Sequence, residues 1–113
     1  LLKNGQPAQA RQLLDMAVRQ RPQEPALYKM LASAAGESGN RMEAHRAYGE
    51  YYFLTGQPRA AIEQFELAIR FANNNFYYVS SLEARIKDIR ETLPPVPMKK
   101  GSDREQKPPA GKK

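Results

Sequence analysis

The sequence predicts an all-α protein, and three observations on its 113 residues support this fold class. Apolar residues recur at steps of three and four, which places them on one face of a helix. No segment alternates apolar and polar residues for long enough to indicate a strand. Glycine recurs between the helical segments, in Gly5-Gln6-Pro7, Gly39-Asn40-Arg41 and Gly56-Gln57-Pro58. Glycine suits the left-handed turn at a helix end, and proline suits the first turn of the next helix.

Four of the predicted helices each carry one apolar stripe, which is the face expected to pack against the rest of the protein. In chain order the stripes are Ala10, Leu13, Leu14, Ala17 and Val18; Leu27, Tyr28, Leu31, Ala34 and Ala35; Ala61, Ile62, Phe65, Ala68, Ile69 and Ala72; and Val79, Leu82, Ile86, Ile89 and Leu93. The second helix is expected to begin after Pro22 and Pro25.

A middle segment, roughly Met42 to Leu54, has a wider apolar face than the other helices. This face consists of a stripe and of small or apolar residues beside it, which are Ala44, Ala47, Tyr48, Tyr51 and Tyr52, with His45, Gly49 and Phe53. A helix with so wide a face is expected to be buried between neighbours on two sides. The glycine in this face, Gly49, predicts a close approach of one neighbouring helix.

A spacing of 34 residues relates several of these positions. It separates Gly5 from Gly39 and Ala10 from Ala44, and half of it separates Gly39 from Gly56. A helix–turn–helix unit of 34 residues is the period of the tetratricopeptide repeat. The alternative is a generic helical bundle in which this spacing arises by chance.

The motifs inside the helices resemble those of the tetratricopeptide family. Two segments look like its second helix, Ala10-x3-Leu14-x2-Ala17-x4-Pro22 and Ala61-x3-Phe65-x2-Ala68. Two others look like its first helix, His45-x2-Tyr48-Gly49-x2-Tyr52 and, more loosely, Tyr28-x2-Leu31-Ala32-x2-Ala35. The resemblance implies a tetratricopeptide-like α-solenoid of about five antiparallel helices with a C-terminal capping helix. The implied repeat domain covers residues 1–93 and is truncated at its N-terminus. Residues 41–55 would both close one repeat and open the next.

A narrower resemblance runs from Glu43 to Arg90. The segments 43–56, 60–65 and 76–90 are similar to the C-terminal repeat region of bacterial β-barrel assembly-enhancing proteases, most clearly in Phe76-Tyr77-x2-Ser80-x3-Ala84-Arg85-Ile86. These are periplasmic zinc metallopeptidases. The resemblance implies the substrate- or partner-binding part of such an enzyme in outer-membrane protein quality control, with β-barrel assembly components as partners. The alternative is a scaffold or adaptor domain of a parent that is not a protease.

This stretch of sequence lacks the parts of a catalytic or metal site. The proteases that it resembles need H-E-x-x-H to hold zinc and to supply a base, whereas His45 is the single histidine here and cysteine is absent. We therefore expect no cofactor in this chain and place zinc in the catalytic domain of the parent. We expect His45 to pack between helices, the alternative being a ligand role.

The net charge of +6 is concentrated at the carboxyl end. Residues 94–113 hold six basic and two acidic side chains and five of the nine prolines, so they are predicted to form a disordered basic tail. No apolar stretch is long enough to span a membrane. Because no aromatic residue alternates with the lysines of the tail to stack on bases, we expect no nucleic-acid partner.

The candidate partner-binding residues follow from the repeat register. Stacked repeats leave a concave face lined by the first helix of each pair, and the predicted residues on it are Lys29, Ser33, Glu37, Arg46, Glu50 and Phe53. By resemblance, Ser33 and Glu50 stand where some family members use asparagine to clamp a peptide carboxylate, so we do not expect carboxylate capture. Arg46 and Phe53 are expected to contact an extended or helical segment. The alternative is packing for Phe53 and ordinary surface for the others.

Overall fold

The computed structural model describes residues 6–94, with side chains from Gln9 onward. Five helices follow one another, α1 (Gln6–Gln20), α2 (Pro25–Glu37), α3 (Arg41–Leu54), α4 (Pro58–Arg70) and α5 (Phe76–Glu91). No strand occurs among the described residues. The prediction of an all-α chain with about five helices is confirmed. Except for Pro94, the predicted tail of residues 94–113 lies outside the described residues, as does the predicted truncation at the N-terminus.

The turns between helices use the backbone freedom that their residue types allow. Proline occupies the first turn of α2 and of α4. Gly39 and Gly56 follow α2 and α3 with φ angles of 85° and 84°, which is the left-handed region predicted for them. The turn before α5 enters the same region without glycine, at Asn73 (φ 55°) and Asn74 (φ 61°). Asparagine tolerates this conformation better than other side chains do.

Asparagine also caps two of the helices. The Oδ1 of Asn40 accepts a hydrogen bond from the backbone N–H of Glu43 at 3.0 Å, and the Oδ1 of Asn75 accepts one from Tyr78 at 3.2 Å. Each cap satisfies an N–H group that the first helical turn leaves without a partner inside the helix. Asn40 and Asn75 are 35 residues apart, so the start of α5 repeats the start of α3.

Each helix packs against the next one along the chain, and α3 lies between α2 and α4. In a first hydrophobic cluster, Ala47 of α3 packs with Leu31 and Ala32 of α2, beside Leu14 and Val18 of α1. The opposite side of α3 contributes to a second cluster with α4 and α5. The prediction that the wide face of the middle helix is buried on two sides is therefore confirmed.

The second cluster contains the best buried side chains of the C-terminal half. Phe65 of α4 and Leu82 and Ile89 of α5 are each at most 2% exposed, and Met42 of α3 packs with them. At the other end of the molecule, α1 buries less of its predicted stripe, because Leu13 is 68% exposed. Adjacent helical residues point about 100° apart, so the contact with α2 that covers Leu14 leaves Leu13 in solvent.

Gly49 is a point of very close approach between α3 and α4. A Cβ atom at this position would lie 2.6–2.8 Å from three atoms of the Phe65 ring, which is closer than carbon atoms pack. The missing side chain therefore lets the ring lie directly against the backbone of α3. The predicted close approach at Gly49 is confirmed, and Phe65 is the residue that makes it.

Filling this contact should destabilise the fold. We expect Gly49→Leu to lower the free energy of unfolding by roughly 2–4 kcal/mol, and Gly49→Ala by less, because the Phe65 ring must move to admit the added atoms. Gly36→Ala is the matched control, since a Cβ atom there would meet the Cβ of Ala44 at an ordinary 4.0 Å and alanine favours a helix. Chemical unfolding measures all three variants. If Gly49→Leu unfolded at the same midpoint as the unsubstituted protein, the close contact between Gly49 and Phe65 would be contradicted.

Candidate functional site

Arg46 is held in place by a carboxylate on its own helix. Its Nε donates to Oε1 of Glu43 at 2.9 Å, and its Nη2 donates to Oε2 of the same carboxylate. Residues three apart lie on neighbouring turns of one helix face, so this pairing needs no second helix. Glu43 is only 9% exposed, and Arg46 compensates the charge that is buried there. The guanidinium of Arg46 is therefore positioned rather than free to swing.

Glu50 connects α3 to α5. Arg85 donates through Nε and Nη2 to the two carboxylate oxygens of Glu50, each at 2.8 Å, which is the bidentate arrangement that makes arginine–carboxylate pairs strong. The guanidinium of Arg85 also lies 4.8 Å from the centroid of the Phe53 ring, a cation–π distance. One arginine thus holds both a charged and an aromatic side chain of α3.

A recess of about 340 Å³ opens between α1, α2 and α3. Its lining combines two acidic side chains, two basic ones and a tyrosine, and includes Asp15, Val18, Arg19, Tyr28, Arg46 and Glu50. Charges of both signs next to aromatic and aliphatic surface suit a protein segment that carries charged side chains of its own. This recess is the candidate partner-binding site of the described residues.

The charges around the recess alter the titration of its tyrosine. Burial raises the pKa of the Tyr28 hydroxyl, and the negative charge of Glu50 raises it further, while Arg46 and Arg85 act in the opposite direction. The tyrosine is therefore neutral at physiological pH. A neutral hydroxyl can both donate and accept a hydrogen bond, which suits polar groups of a bound segment.

Arg46 and Arg85 both remain charged because each is paired with a carboxylate. For Arg46, burial opposes the charge, but the hydrogen bond and the charge of Glu43 raise its pKa above the ordinary value. For Arg85, the hydrogen bonds that it donates to Glu50 raise its pKa, against the effect of burial. The recess and its rim therefore keep a fixed pattern of charge.

The structure brings together the predicted site residues of α3. Arg46 and Glu50 both line the recess, and Phe53 lies beside it against Arg85. Phe53 is also partly buried against the second hydrophobic cluster, so packing is at least one of its roles.

The predicted residues of α2 lie elsewhere. Lys29, Ser33 and Glu37 are exposed and do not line the recess, and the amine of Lys29 lies 5.6 Å from the ring of Tyr51. Helix α2 contributes Tyr28 instead. Because neighbouring helical residues point about 100° apart, Tyr28 and Lys29 face different sides of α2.

A spacing of 35 residues, one more than the predicted period of 34, relates Glu50 to two site residues that were not predicted, Asp15 and Arg85. Arg11 and Asp15 stand 35 residues before Arg46 and Glu50, and Arg85 stands 35 residues after Glu50. Of these spacings, the one from Glu50 to Arg85 corresponds to a contact between oppositely charged side chains. Asp15, which also lines the recess, contributes to raising the pKa of Arg46.

His45 packs between α3 and α4. Its Nδ1 lies 2.9 Å from the Oε1 of Gln64, and its ring stacks on that of Phe71 with 5.5 Å between the centroids. Across residues 6–94, no three histidine, aspartate or glutamate side chains lie close enough together to hold a metal ion. Within the same residues, no helix has the length and apolar character to cross a membrane.

Comparison with family models, curated proteins and solved structures finds no match for this chain. Support for a function therefore comes from the motifs of the sequence and from the geometry of the recess and its ion pairs.

The Glu50–Arg85 pair should stabilise the attachment of α5 to α3. In a double-mutant cycle with Glu50→Gln and Arg85→Gln, we expect a coupling free energy of about 1 kcal/mol, because the pair is bidentate and largely shielded from solvent. The matched control is the cycle of Glu66→Gln and Arg90→Gln, an exposed pair with a single contact of 3.3 Å, for which we expect about 0.3 kcal/mol or less. Chemical unfolding gives both coupling free energies. Equal values in the two cycles would mean that the Glu50–Arg85 pair stabilises the fold no more than an exposed pair does.

Tyr28 should lose its proton at higher pH in the folded protein than in the unfolded chain. Between the two pKa values the folded state binds more protons, so its stability should fall as the pH rises past about 10, and Tyr28→Phe should reduce this fall. The pKa of Tyr28 is measured from tyrosinate absorbance as a function of pH, as the difference between the unsubstituted protein and Tyr28→Phe. Glu50→Gln should lower that pKa by removing a negative charge. An unchanged or higher pKa in Glu50→Gln would show that the two groups do not interact.

Proposed function

We propose that this chain is a tetratricopeptide-like repeat domain that binds protein segments in the recess between α1, α2 and α3. The observation that carries the proposal is the set of charged side chains around the recess, of which Arg46 and Glu50 are held by ion pairs before any partner arrives. Groups that are already positioned lose little conformational entropy on binding, which favours recognition.

Two further observations favour a repeat arrangement over a generic bundle. Glu50 of α3 contacts Arg85 of α5 directly, although α4 stands between these helices in the chain. The capped starts of α3 and α5, at Asn40 and Asn75, are 35 residues apart, which is within one residue of the predicted period. Both favour an α-solenoid in which α1, α3 and α5 form one layer, α2 and α4 form the other, and α5 is the capping helix.

The chemistry of the recess defines the class of ligand. Its volume of about 340 Å³ admits a few side chains rather than a whole folded surface, so an extended or helical segment would bind by inserting anchor residues. Arg46 and Arg19 attract an acidic side chain, while Asp15 and Glu50 attract a basic one. The predicted residues on the exposed side of α2, which are Lys29, Ser33 and Glu37, provide a second surface for the same partner.

We further propose that the parent is a periplasmic zinc metallopeptidase of outer-membrane protein quality control. The support is the resemblance of residues 43–90 to the C-terminal repeats of β-barrel assembly-enhancing proteases. The partners are then β-barrel assembly components or misassembled barrel proteins. An H-E-x-x-H motif encoded upstream of Leu1 is required by this proposal. A parent without that motif would instead be a tetratricopeptide scaffold or adaptor.

Site-specific photocrosslinking in the full-length parent tests the binding surface. A photoreactive residue replaces Arg19 at the recess, Ser33 on the exposed side of α2, or Glu63 on the exposed side of α4. We expect the probe at Arg19 to crosslink to a β-barrel assembly component or a barrel precursor, and the probe at Glu63 to remain unlinked. Crosslinking from Ser33 shows whether the exposed side of α2 also contacts the partner.

A charge variant provides the second arm of this experiment. Arg46→Gln should reduce the crosslinking yield from position 19 several-fold, because it removes a cation from the wall of the recess. Arg90→Gln is the control, since it removes a cation from an exposed pair outside the recess. Circular dichroism confirms that each variant is folded. Equal yields from positions 19 and 63, or no effect of Arg46→Gln, would rule out the recess as the binding site.

A further inference from the structure

Three consecutive aromatic side chains project from the start of α5. Phe76 is 82% exposed, Tyr77 is 74% exposed and Tyr78 is 41% exposed. From the usual size of these side chains, they present on the order of 300 Å² of surface together, which is the size of a functional patch on a typical monomer. We name Phe76, Tyr77 and Tyr78 the aromatic tip.

None of the three residues of the aromatic tip belongs to the second hydrophobic cluster. The buried residues through which α5 joins the second hydrophobic cluster are Leu82, Ile86 and Ile89, all of them beyond the first turn of the helix. The tip is nevertheless held in a fixed direction, because the side chain of Asn75 caps the helix at the N–H of Tyr78. An aromatic group that is exposed, held in a fixed direction and outside the hydrophobic core indicates an interaction surface.

Between Glu66 and Glu83, the stretch of chain that contains the aromatic tip carries no acidic residue. From Leu67 to Leu82 the only charged side chain is that of Arg70, which is exposed in the last turn of α4. Arg41, also exposed, lies 5.4 Å from the centroid of the Phe71 ring and lines one recess together with Asn73. The turn that leads into the tip is therefore flanked by two positive charges.

We propose that the aromatic tip, with Arg70 and Arg41 beside it, inserts into the headgroup region of an anionic phospholipid bilayer. Aromatic rings favour the boundary between headgroups and acyl chains, where a tyrosine hydroxyl still reaches water. Basic side chains near that boundary are attracted to anionic lipid. A projecting tip suits a deformable surface, whereas a folded protein partner would have to supply a matching cavity.

A single tryptophan tests the insertion directly, because the chain contains none. In the full chain, the emission of Phe76→Trp should shift to shorter wavelength on addition of vesicles of equimolar phosphatidylcholine and phosphatidylglycerol. Lipids brominated in the acyl chain should quench it. Leu13→Trp is the matched control, since Leu13 is similarly exposed on α1, and it should neither shift nor be quenched. An unshifted Phe76→Trp emission, or an equal shift in both variants, overturns the proposal.

Cosedimentation with the same vesicles measures how much the tip contributes. Phe76→Ser combined with Tyr77→Ser should lower partitioning at least about tenfold, whereas Leu13→Ser should leave it unchanged. The lysines of residues 95–113 are present in every variant, so their attraction to anionic lipid is common to all comparisons. Equal partitioning of the parent and the double variant would mean that the tip does not insert.

The charge requirement is tested separately from the aromatic one. Arg70→Gln should weaken binding to the anionic vesicles but not to vesicles of pure phosphatidylcholine. Arg59→Gln, which removes an exposed arginine near the opposite end of α4, should change neither. If the chain instead self-associates without lipid, and Phe76→Ser with Tyr77→Ser abolishes this association, the tip is an interface between copies and the lipid proposal is wrong.

Discussion

The contact between Gly49 and the ring of Phe65 is the constraint on which the rest of the arrangement depends. It brings the backbone of α3 against a fully buried aromatic side chain of α4, and Phe65 in turn packs with the buried residues of α5. On its other side, α3 presents Ala47 to α2. Small residues at both contacts let one helix have close neighbours on two sides, so α3 couples two hydrophobic clusters that otherwise share no buried residue.

An ion pair extends this coupling from α3 to α5. The hydrophobic clusters join each helix to the next one in the chain, whereas the bidentate pair of Glu50 and Arg85 joins α3 directly to α5. Glu50 therefore both joins α3 to α5 and lines the recess, beside Arg46, which Glu43 holds in place. A partner that binds there contacts groups whose positions the fold already determines.

The two proposed surfaces differ in shape, and their chemistry follows from that difference. The recess is concave and carries charges of both signs, which suits inserted side chains of a protein segment. The aromatic tip projects from the turn between α4 and α5, and this turn is flanked by Arg70 and Arg41, which suits a flat anionic surface. The tip and the recess share no residue, so a domain on a membrane surface could keep its recess open to a protein partner.

The five helices, their proline and glycine boundaries and the burial of the middle helix on two sides could be predicted from the sequence, because these depend on local backbone preferences and on the period of one helix. The spacing of Arg46 and Glu50 likewise predicts that they share one helix face. The sequence did not predict that Tyr28 rather than Lys29 faces the recess, that Leu13 is exposed, or that Arg85 reaches Glu50. Each of these depends on how far one helix is rotated against another. That rotation is decided by packing between residues distant in sequence, such as Gly49 on Phe65, and the periodicity of a single helix does not encode it.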